Sequence, residues 1–240
     1  MAAPIQQLAR LASRTFSRLN TSEGVQPDKI SQLKSALGEI TAADVNFDAN
    51  FIKQRDSALA SRARAPVTYI HLWEDDTFSM GIFVVKGGGR LPLHDHPGMF
   101  GLIKVIHGTL KIISLSEVEG VPVPDDVNMQ VKRWQKPRLK SVTVDREGIV
   151  SSGDGCCQLT PSRGNFHEIT AVSDVAAFVD ILAPPYNKSQ DRDCHYYSEV
   201  LKNSASASAR NVKWLIPVPQ PLDFWCDTVD YTGPHINVRA

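Results

Sequence analysis

Gly88-Gly89-Arg90-Leu91-Pro92-Leu93-His94-Asp95-His96, answered far downstream by Pro161-Ser162-Arg163-Gly164-Asn165-Phe166-His167, are the stretches on which the reading of this chain turns. In an extended strand, residues two apart project to the same face. His94 and His96 therefore point together, and Asp95 points away. The same parity turns Glu168 from the side that His167 faces. The carboxylates nearest the histidines are thus poorly placed to ligate, and the candidate metal site is three imidazoles: His94, His96 and His167. An HxH pair alone is also what two surface histidines look like. The glycines ahead of it and the second stretch beyond it favour a site.

Around these stretches the chain reads as short β-rich runs separated by Gly and Pro: Val67–Trp73, Ser79–Val85, Phe100–Ile106, Thr109–Leu115, Leu139–Val144, Cys157–Thr160, His167–Ala171, Ala176–Leu182 and Val212–Val218. A helical preface comes first. Pro27 and Asp28 open a helix with Ile30, Leu33, Leu37 and Ile40 on one stripe. Thr41 and Asp44 then lead into a linker or a third short helix ending near Arg64. This layout predicts an all-β barrel or sandwich over residues 65–240, with residues 1–64 as helices packed on it, in a single structural domain. Glu117–Pro137 reads as a long insertion and the Ser/Ala-rich Lys202–Arg210 as a loop.

The two histidine stretches resemble the metal motifs of cupins. Gly88, five residues and His94-x-His96 fit the first motif, and Gly108 closes it where a hairpin turn belongs. The second runs Gly155, five residues, Pro161, Gly164, His167, with one residue more than usual between Pro161 and Gly164. The acid that usually follows the HxH is absent, Phe100 or Gly101 taking its slot. That argues against a site of three histidines plus a glutamate.

The resemblance narrows further. His94-Asp95-His96-Pro97-Gly98-Met99, Lys104-Val105-Ile106-His107-Gly108-Thr109, Asp180-Ile181-Leu182-Ala183-Pro184-Pro185-Tyr186 and Asp193-Cys194-His195-Tyr196-Tyr197 are similar to the cysteamine dioxygenase and plant cysteine oxidase family of thiol dioxygenases. The likeness spans roughly Ile30 to Asn237. It implies a double-stranded β-helix (jelly-roll) fold and one mononuclear non-haem Fe(II) per chain. The implied reaction converts a thiol to a sulfinate with O2. The implied substrates are cysteamine, oxidised to hypotaurine, and proteins or peptides beginning with cysteine, whose oxidation marks them for degradation in response to oxygen.

Three neutral imidazoles suit that chemistry. They leave the ion its full double charge, which a thiolate partly neutralises, and the metal lowers the thiol's pKa. A nearby amine can close a chelate, and two oxygen atoms on sulfur give the sulfinic level. Three histidines with a water also describe catalytic zinc, so the ligands alone do not separate the metals. A cupin that binds metal or a small ligand without catalysis is the alternative reading.

Further candidates lie downstream. Asp180 sits in the otherwise apolar Ala176–Leu182 run, where an unpaired charge is costly. It is read as an acceptor for a substrate ammonium or a metal-bound water, the alternative being a structural hydrogen-bond partner. Tyr186, after Pro184-Pro185, is read as a phenol donor to oxygen or substrate, or as a packing aromatic at the rim. Cys194 and Tyr196 share a strand face, and the family resemblance raises a thioether cross-link between them. No arginine beside the HxH would clamp a free carboxylate; Arg90, the nearest, reads as a solvated loop residue. That favours an aminothiol or an N-terminal cysteine over free cysteine. His71, His107, His195 and His235 read as surface or local hydrogen-bonding residues.

Composition sets outer bounds. The chain has 26 Lys plus Arg against 26 Asp plus Glu, so no net field recruits nucleic acid or an anionic membrane, and a monomer is the expectation. Four cysteines, with Cys156 and Cys157 adjacent and Cys194 and Cys226 apart, show no disulfide framework and read as reduced cytoplasmic thiols. Met1 to Ser22 carries Arg10, Arg14 and Arg18 without an acid, with Ile5, Leu8, Leu11, Phe16 and Leu19 at helical spacing. It reads either as an amphipathic helix packed on the barrel or as a mitochondrial presequence. No run is apolar enough to span a membrane.

Overall fold

This computed structural model describes residues 2–17, 25–58, 64–200 and 211–238. The strands form two facing sheets, and those bearing His94 and His167 are neighbours in the second. One has the order β12-β1-β2-β9-β4-β7, built from β1 (Val67–Glu74), β2 (Ser79–Lys86), β4 (Phe100–His107), β7 (Cys157–Leu159), β9 (Val175–Ala183) and β12 (Cys226–Thr228). The other closes on itself as β10-β11-β6-β5-β8-β3, from β3 (Arg90–Asp95), β5 (Thr109–Glu117), β6 (Lys140–Ser151), β8 (Phe166–Ala171), β10 (Tyr196–Val200) and β11 (Val212–Val218). This is the all-β cupin jelly roll. Among the described residues, no helix is long and apolar enough to cross a membrane.

Strand alternation gives the first sheet two apolar faces. Phe178 of β9, Val85 of β2 and Ile103 of β4 point inward and meet Leu91, Ile112 and Ile169 of the second sheet. Val179, Ile82 and Leu102 point outward and are covered by helices. Those helices are α1 (Pro4–Phe16) and α2 (Pro27–Gly38), each with a proline in its first turn, where the missing N–H costs nothing. Ile5, Leu8, Ala9, Ala12 and Phe16 on α1, and Ile30, Leu33 and Leu37 on α2, recur at helical spacing and are buried on that sheet. α3 (Ala49–Ala58) adds Ile52. Arg18 and Leu19 of the acid-free N-terminal stretch, the chain from 59 to 63, and Lys202–Arg210 lie outside the described residues.

The second sheet folds around a core of its own. Leu93, Ile113, Leu115, Val142, Phe166 and Leu215 fill the ring that β10, β11 and β6 close behind β5, β8 and β3. The structure departs from the sequence reading here. β6 continues to Ser151 instead of ending at Val144, because the chain bulges at the exposed Asp145 and then pairs along β5 through the exposed Arg146 and Glu147, leaving no apolar alternation to read. β10 and β12 are strands of half-exposed residues where none was expected. The insertion between Glu117 and Pro137 carries a short α4 (Asp125–Gln130), whose Val127 packs with Trp214 of β11.

Leu33 is fully buried between α2 and the sheet, while Leu222 is wholly exposed. Leu33→Ala should cost about 2–5 kcal/mol, read as a shift of the denaturant midpoint. Leu222→Ala should stay within about 0.5 kcal/mol. Equal effects would refute the packing assigned to α2.

Candidate metal centre

β3 and β8 run antiparallel with His94 opposite His167. The register slips by one residue between Leu91 and His94, across Pro92 and Leu93. Proline has no N–H to give to a ladder, so an irregular position tolerates it. The slip is functional in effect. Strict alternation would send Leu91 and His94 to opposite faces, yet both line the inner cavity while Leu93 turns into the ring. His96 stands just past the end of β3, where Gly98 at φ +69° lets the chain turn into β4.

The three imidazoles converge. His96 Nε2 lies 3.0 Å from His167 Nε2, which lies 3.1 Å from His94 Nε2. Among the described residues this is the one group of His, Cys, Asp or Glu side chains placed to share an ion, and all three are buried. Their outer nitrogens are committed. His94 Nδ1 donates to the Pro92 carbonyl at 2.7 Å. Tyr186 Oη donates to the Asp95 carbonyl at 2.8 Å and so receives the His96 Nδ1 hydrogen, also at 2.8 Å. With Nδ1 protonated, the Nε2 lone pairs of His94 and His96 face inward. Burial holds all three pKa values below that of an ordinary histidine, and the neighbouring imidazoles lower His96 and His167 further. Neutral, buried, converging nitrogen donors fit a divalent cation.

The parity of the HxH holds on its other face as well. Glu168 points away from the cavity and pairs with Arg90 at 3.1 Å. Arg90 therefore begins a strand and carries two ion pairs, the second to Asp223; it is not a solvated loop residue. Asp95 also points away, but it is buried and has its own task. Its carboxylate accepts the His195 backbone N–H at 2.9 Å, His195 Nδ1 at 3.2 Å and Tyr197 Oη at 2.8 Å. Its backbone N–H donates to the His195 carbonyl at 3.1 Å. The strand that bears the ligands is thereby tied to the segment carrying Cys194 and Tyr196.

Two contributors escaped the sequence reading. Asp95 was seen only as a carboxylate facing the wrong way for a metal. Asn165, also buried, grips His96 by its backbone, accepting His96 N–H at 3.1 Å and donating to His96 O at 2.8 Å and Thr160 O at 2.9 Å. A polar residue beside a ligand in each motif was the signal available, without a direction. His195 is a partner of Asp95, and His71, His107 and His235 lie outside the three-histidine group.

The metal group opens into a cavity of about 310 Å³ between the sheets, also lined by Asp180, Tyr186, Cys194, Tyr196, Gln220 and Phe224. Asp180 sits on the inward face of β9 opposite Gly81 of β2 and Ile103 of β4. Burial pushes its carboxyl up to about 7, against a smaller opposing effect of a backbone hydrogen bond at Ile181. Gly81 leaves room there for Tyr69: a Cβ would stand 2.3 Å from its ring and displace it. Tyr69 crosses that space, and burial and then the Asp180 charge hold its phenol protonated. The Cys194 thiol lies within hydrogen-bonding reach of both Tyr186 and Tyr196, and burial lifts it to about 11.

The PCO_ADO family model matches residues 36–236. The chain belongs to that family. It is 37% identical to 2-aminoethanethiol dioxygenase of Mus musculus over 252 aligned residues, covering 98% of this chain and 97% of the relative. The corresponding Homo sapiens protein is 35% identical with the same coverage of both chains. Plant cysteine oxidase 1 of Arabidopsis thaliana is 33% identical over 81% of this chain and 63% of its own length. The relatives are named as dioxygenases and oxidases, and this chain is an oxidoreductase of the same family, with a histidine triad able to hold a metal.

Tyr186 tests the arrangement of the ligands. Tyr186→Phe removes the acceptor that fixes His96, and losses of this kind typically lower metal affinity about 10- to 100-fold. Competition against a chelator should report that fall, with Tyr69→Phe as the control that leaves affinity unchanged.

Proposed function

We propose that this protein is an Fe(II)-dependent thiol dioxygenase that takes cysteamine or an N-terminal cysteine to the sulfinate. The balance is one thiol and one O2 giving one sulfinate and one proton, with both oxygen atoms on sulfur. The observation that carries the reading is a three-histidine group without a carboxylate, at the floor of a cavity of small-substrate size, in a chain of this family.

Three histidines alone fit iron or zinc, and membership of a family whose relatives are named dioxygenases and oxidases favours iron. Iron, when bound, supplies the redox chemistry that joins O2 to sulfur.

The remaining steps are the work of the chain's own residues. Leu91, Ile103, Ile169, Phe178 and Leu182 keep the cavity apolar, which strengthens every electrostatic contact inside it. Among the described residues no lysine or arginine lines it, so a free carboxylate would go unpaired, and an amine or an amide in that place is favoured. Asp180 is the acidic group of the lining and accepts the substrate ammonium. Its proton must leave for that, and both the ammonium and a nearby divalent cation favour the charged form. Tyr186 holds its hydrogen on the Asp95 carbonyl, so its role toward substrate runs through the orientation of His96 and the contact with Cys194. The nearness of Cys194 and Tyr196, both on the lining and in hydrogen-bonding reach, supports a thioether from Sγ to a ring carbon of Tyr196, the two hydrogens lost passing to O2 to give peroxide.

The deciding experiment is O2 uptake by anaerobically Fe(II)-loaded protein, given cysteamine and a Cys-initiated peptide in parallel, with mass spectrometry of both products. Two oxygens added to sulfur, lost in His94→Ala, are expected. Bound iron without thiol-dependent uptake would leave a metal-binding cupin. A second outcome concerns Asp180. Turnover should rise with pH as its carboxyl ionises, on a limb at or below about 7. Asp180→Asn should flatten that limb and raise KM at least about 10-fold, by loss of a buried charge pair.

A further inference from the structure

Gln220 and Cys226 are the exposed members of the cavity lining, so the cavity opens to solvent beside residues 219–226. That segment is a fixed lip. Arg90 on β3 holds Asp223 at 3.1 Å, Gln220 Nε2 donates to the Phe224 carbonyl at 2.8 Å, and the Phe224 ring stands 5.8 Å from that of Tyr196. Between these anchors two large apolar side chains face solvent: Leu222 is 100% exposed and Trp225 38%. Neither lines the cavity itself, but both belong to the same lip as Gln220, Phe224 and Cys226, which do. The lip also divides two spaces. Gln220 and Phe224 line the metal cavity, whereas Pro219 and Pro221 line a second cavity of about 430 Å³, with Leu93, Ile113 and Leu115 on its far wall. Pro92 borders both.

We propose that the lip and the second cavity form the docking surface for the residues that follow the N-terminal cysteine of a polypeptide substrate. The inference rests on the thiol dioxygenase reading and adds to it how one substrate class is told from the other. A cysteamine molecule ends inside the metal cavity. A polypeptide has to leave through the mouth, and at about 3.3–3.6 Å per residue its second to fourth residues lie across the lip. The surface is apolar in its selectivity. The charged groups around the second cavity are already paired, Arg90 with Glu168 and Lys213 with Glu199 at 3.0 Å, so they offer a charged tail little. Apolar side chains soon after the cysteine are the complementary partner.

The test compares steady-state oxidation of three substrates by the Fe(II)-loaded full chain. They are cysteamine, a ten-residue peptide beginning with Cys and apolar at its next three positions, and the same peptide with Asp at those positions. Leu222→Asp and Trp225→Asp, both on solvent-facing side chains, should lower kcat/KM for the apolar peptide about 10-fold, through KM. Cysteamine should stay within about twofold. The unaltered protein should prefer the apolar over the acidic peptide by a similar factor. Equal losses on cysteamine and peptide, no loss on either, or turnover of cysteamine alone would each overturn the lip as a docking surface. Oxidation of neither thiol by the unaltered protein would instead overturn the dioxygenase reading, and the docking surface with it.

Discussion

Three buried imidazole nitrogens facing one another across about 3 Å cannot all carry protons, and the surrounding structure follows from that constraint. Lone pairs brought this close repel unless a cation sits among them, and protonated rings would place two positive charges in contact without water. The fold handles this from outside the triad. Pro92 O takes the His94 hydrogen, and Tyr186, anchored on Asp95 O, takes that of His96. Asn165 clamps the His96 backbone. The site is thus poised by hydrogen bonds that never touch a metal, and its low proton affinity leaves the nitrogens available.

A single alternating strand serves both halves of the molecule. The inward residues of β3 end in ligands, while its outward residues, Leu93 and Asp95, belong to the ring closed by β10 and β11. Asp95 is where the halves are joined. One side chain accepts from His195 and Tyr197, and its own peptide group bonds to His195 and Tyr186. Cys194 and Tyr196 are held at the cavity by His195 between them and Tyr197 after them, both bound to this aspartate. The register slip at Pro92 is the other device, since without it the apolar wall at Leu91 and the ligand at His94 would part company.

What the sequence made legible was what periodicity carries. His94 and His96 on one face, Glu168 on the other, the turn at Gly108 and the apolar stripe of α2 are all consequences of spacing, and the structure has each of them. What stayed hidden depends on partners distant in sequence. β10 and β12 are short and half-exposed, and become strands by pairing with β11 and with β1. The exposed tail of β6 has no apolar face, so only β5 reveals it. Asp95 and Asn165 are ordinary polar residues until their acceptors and donors, up to about a hundred residues away, are known. Tyr186 reads from sequence as a phenol donor to oxygen or substrate or as a rim aromatic, and its commitment to His96 required the fold.

Asp180 shows most clearly that this interior is shaped for chemistry at the expense of stability. An apolar strand that buries a carboxyl and raises it from 3.8 to about 7 gives up roughly 4 kcal/mol at neutral pH relative to leaving the group in water. Gly81 adds to the concession, since it exists to let Tyr69 cross above the same spot. Between pH 4 and about 7 the folded chain keeps a proton that the unfolded chain has released. Stability contributed by this group therefore falls as pH rises through that window. A cation placed against the carboxylate reverses the sign, because it favours the ionised form and only the folded chain can hold it there. On the proposed role of Asp180 as acceptor of the substrate ammonium, that cost is offset by a substrate that brings positive charge and remains in full for a neutral thiol.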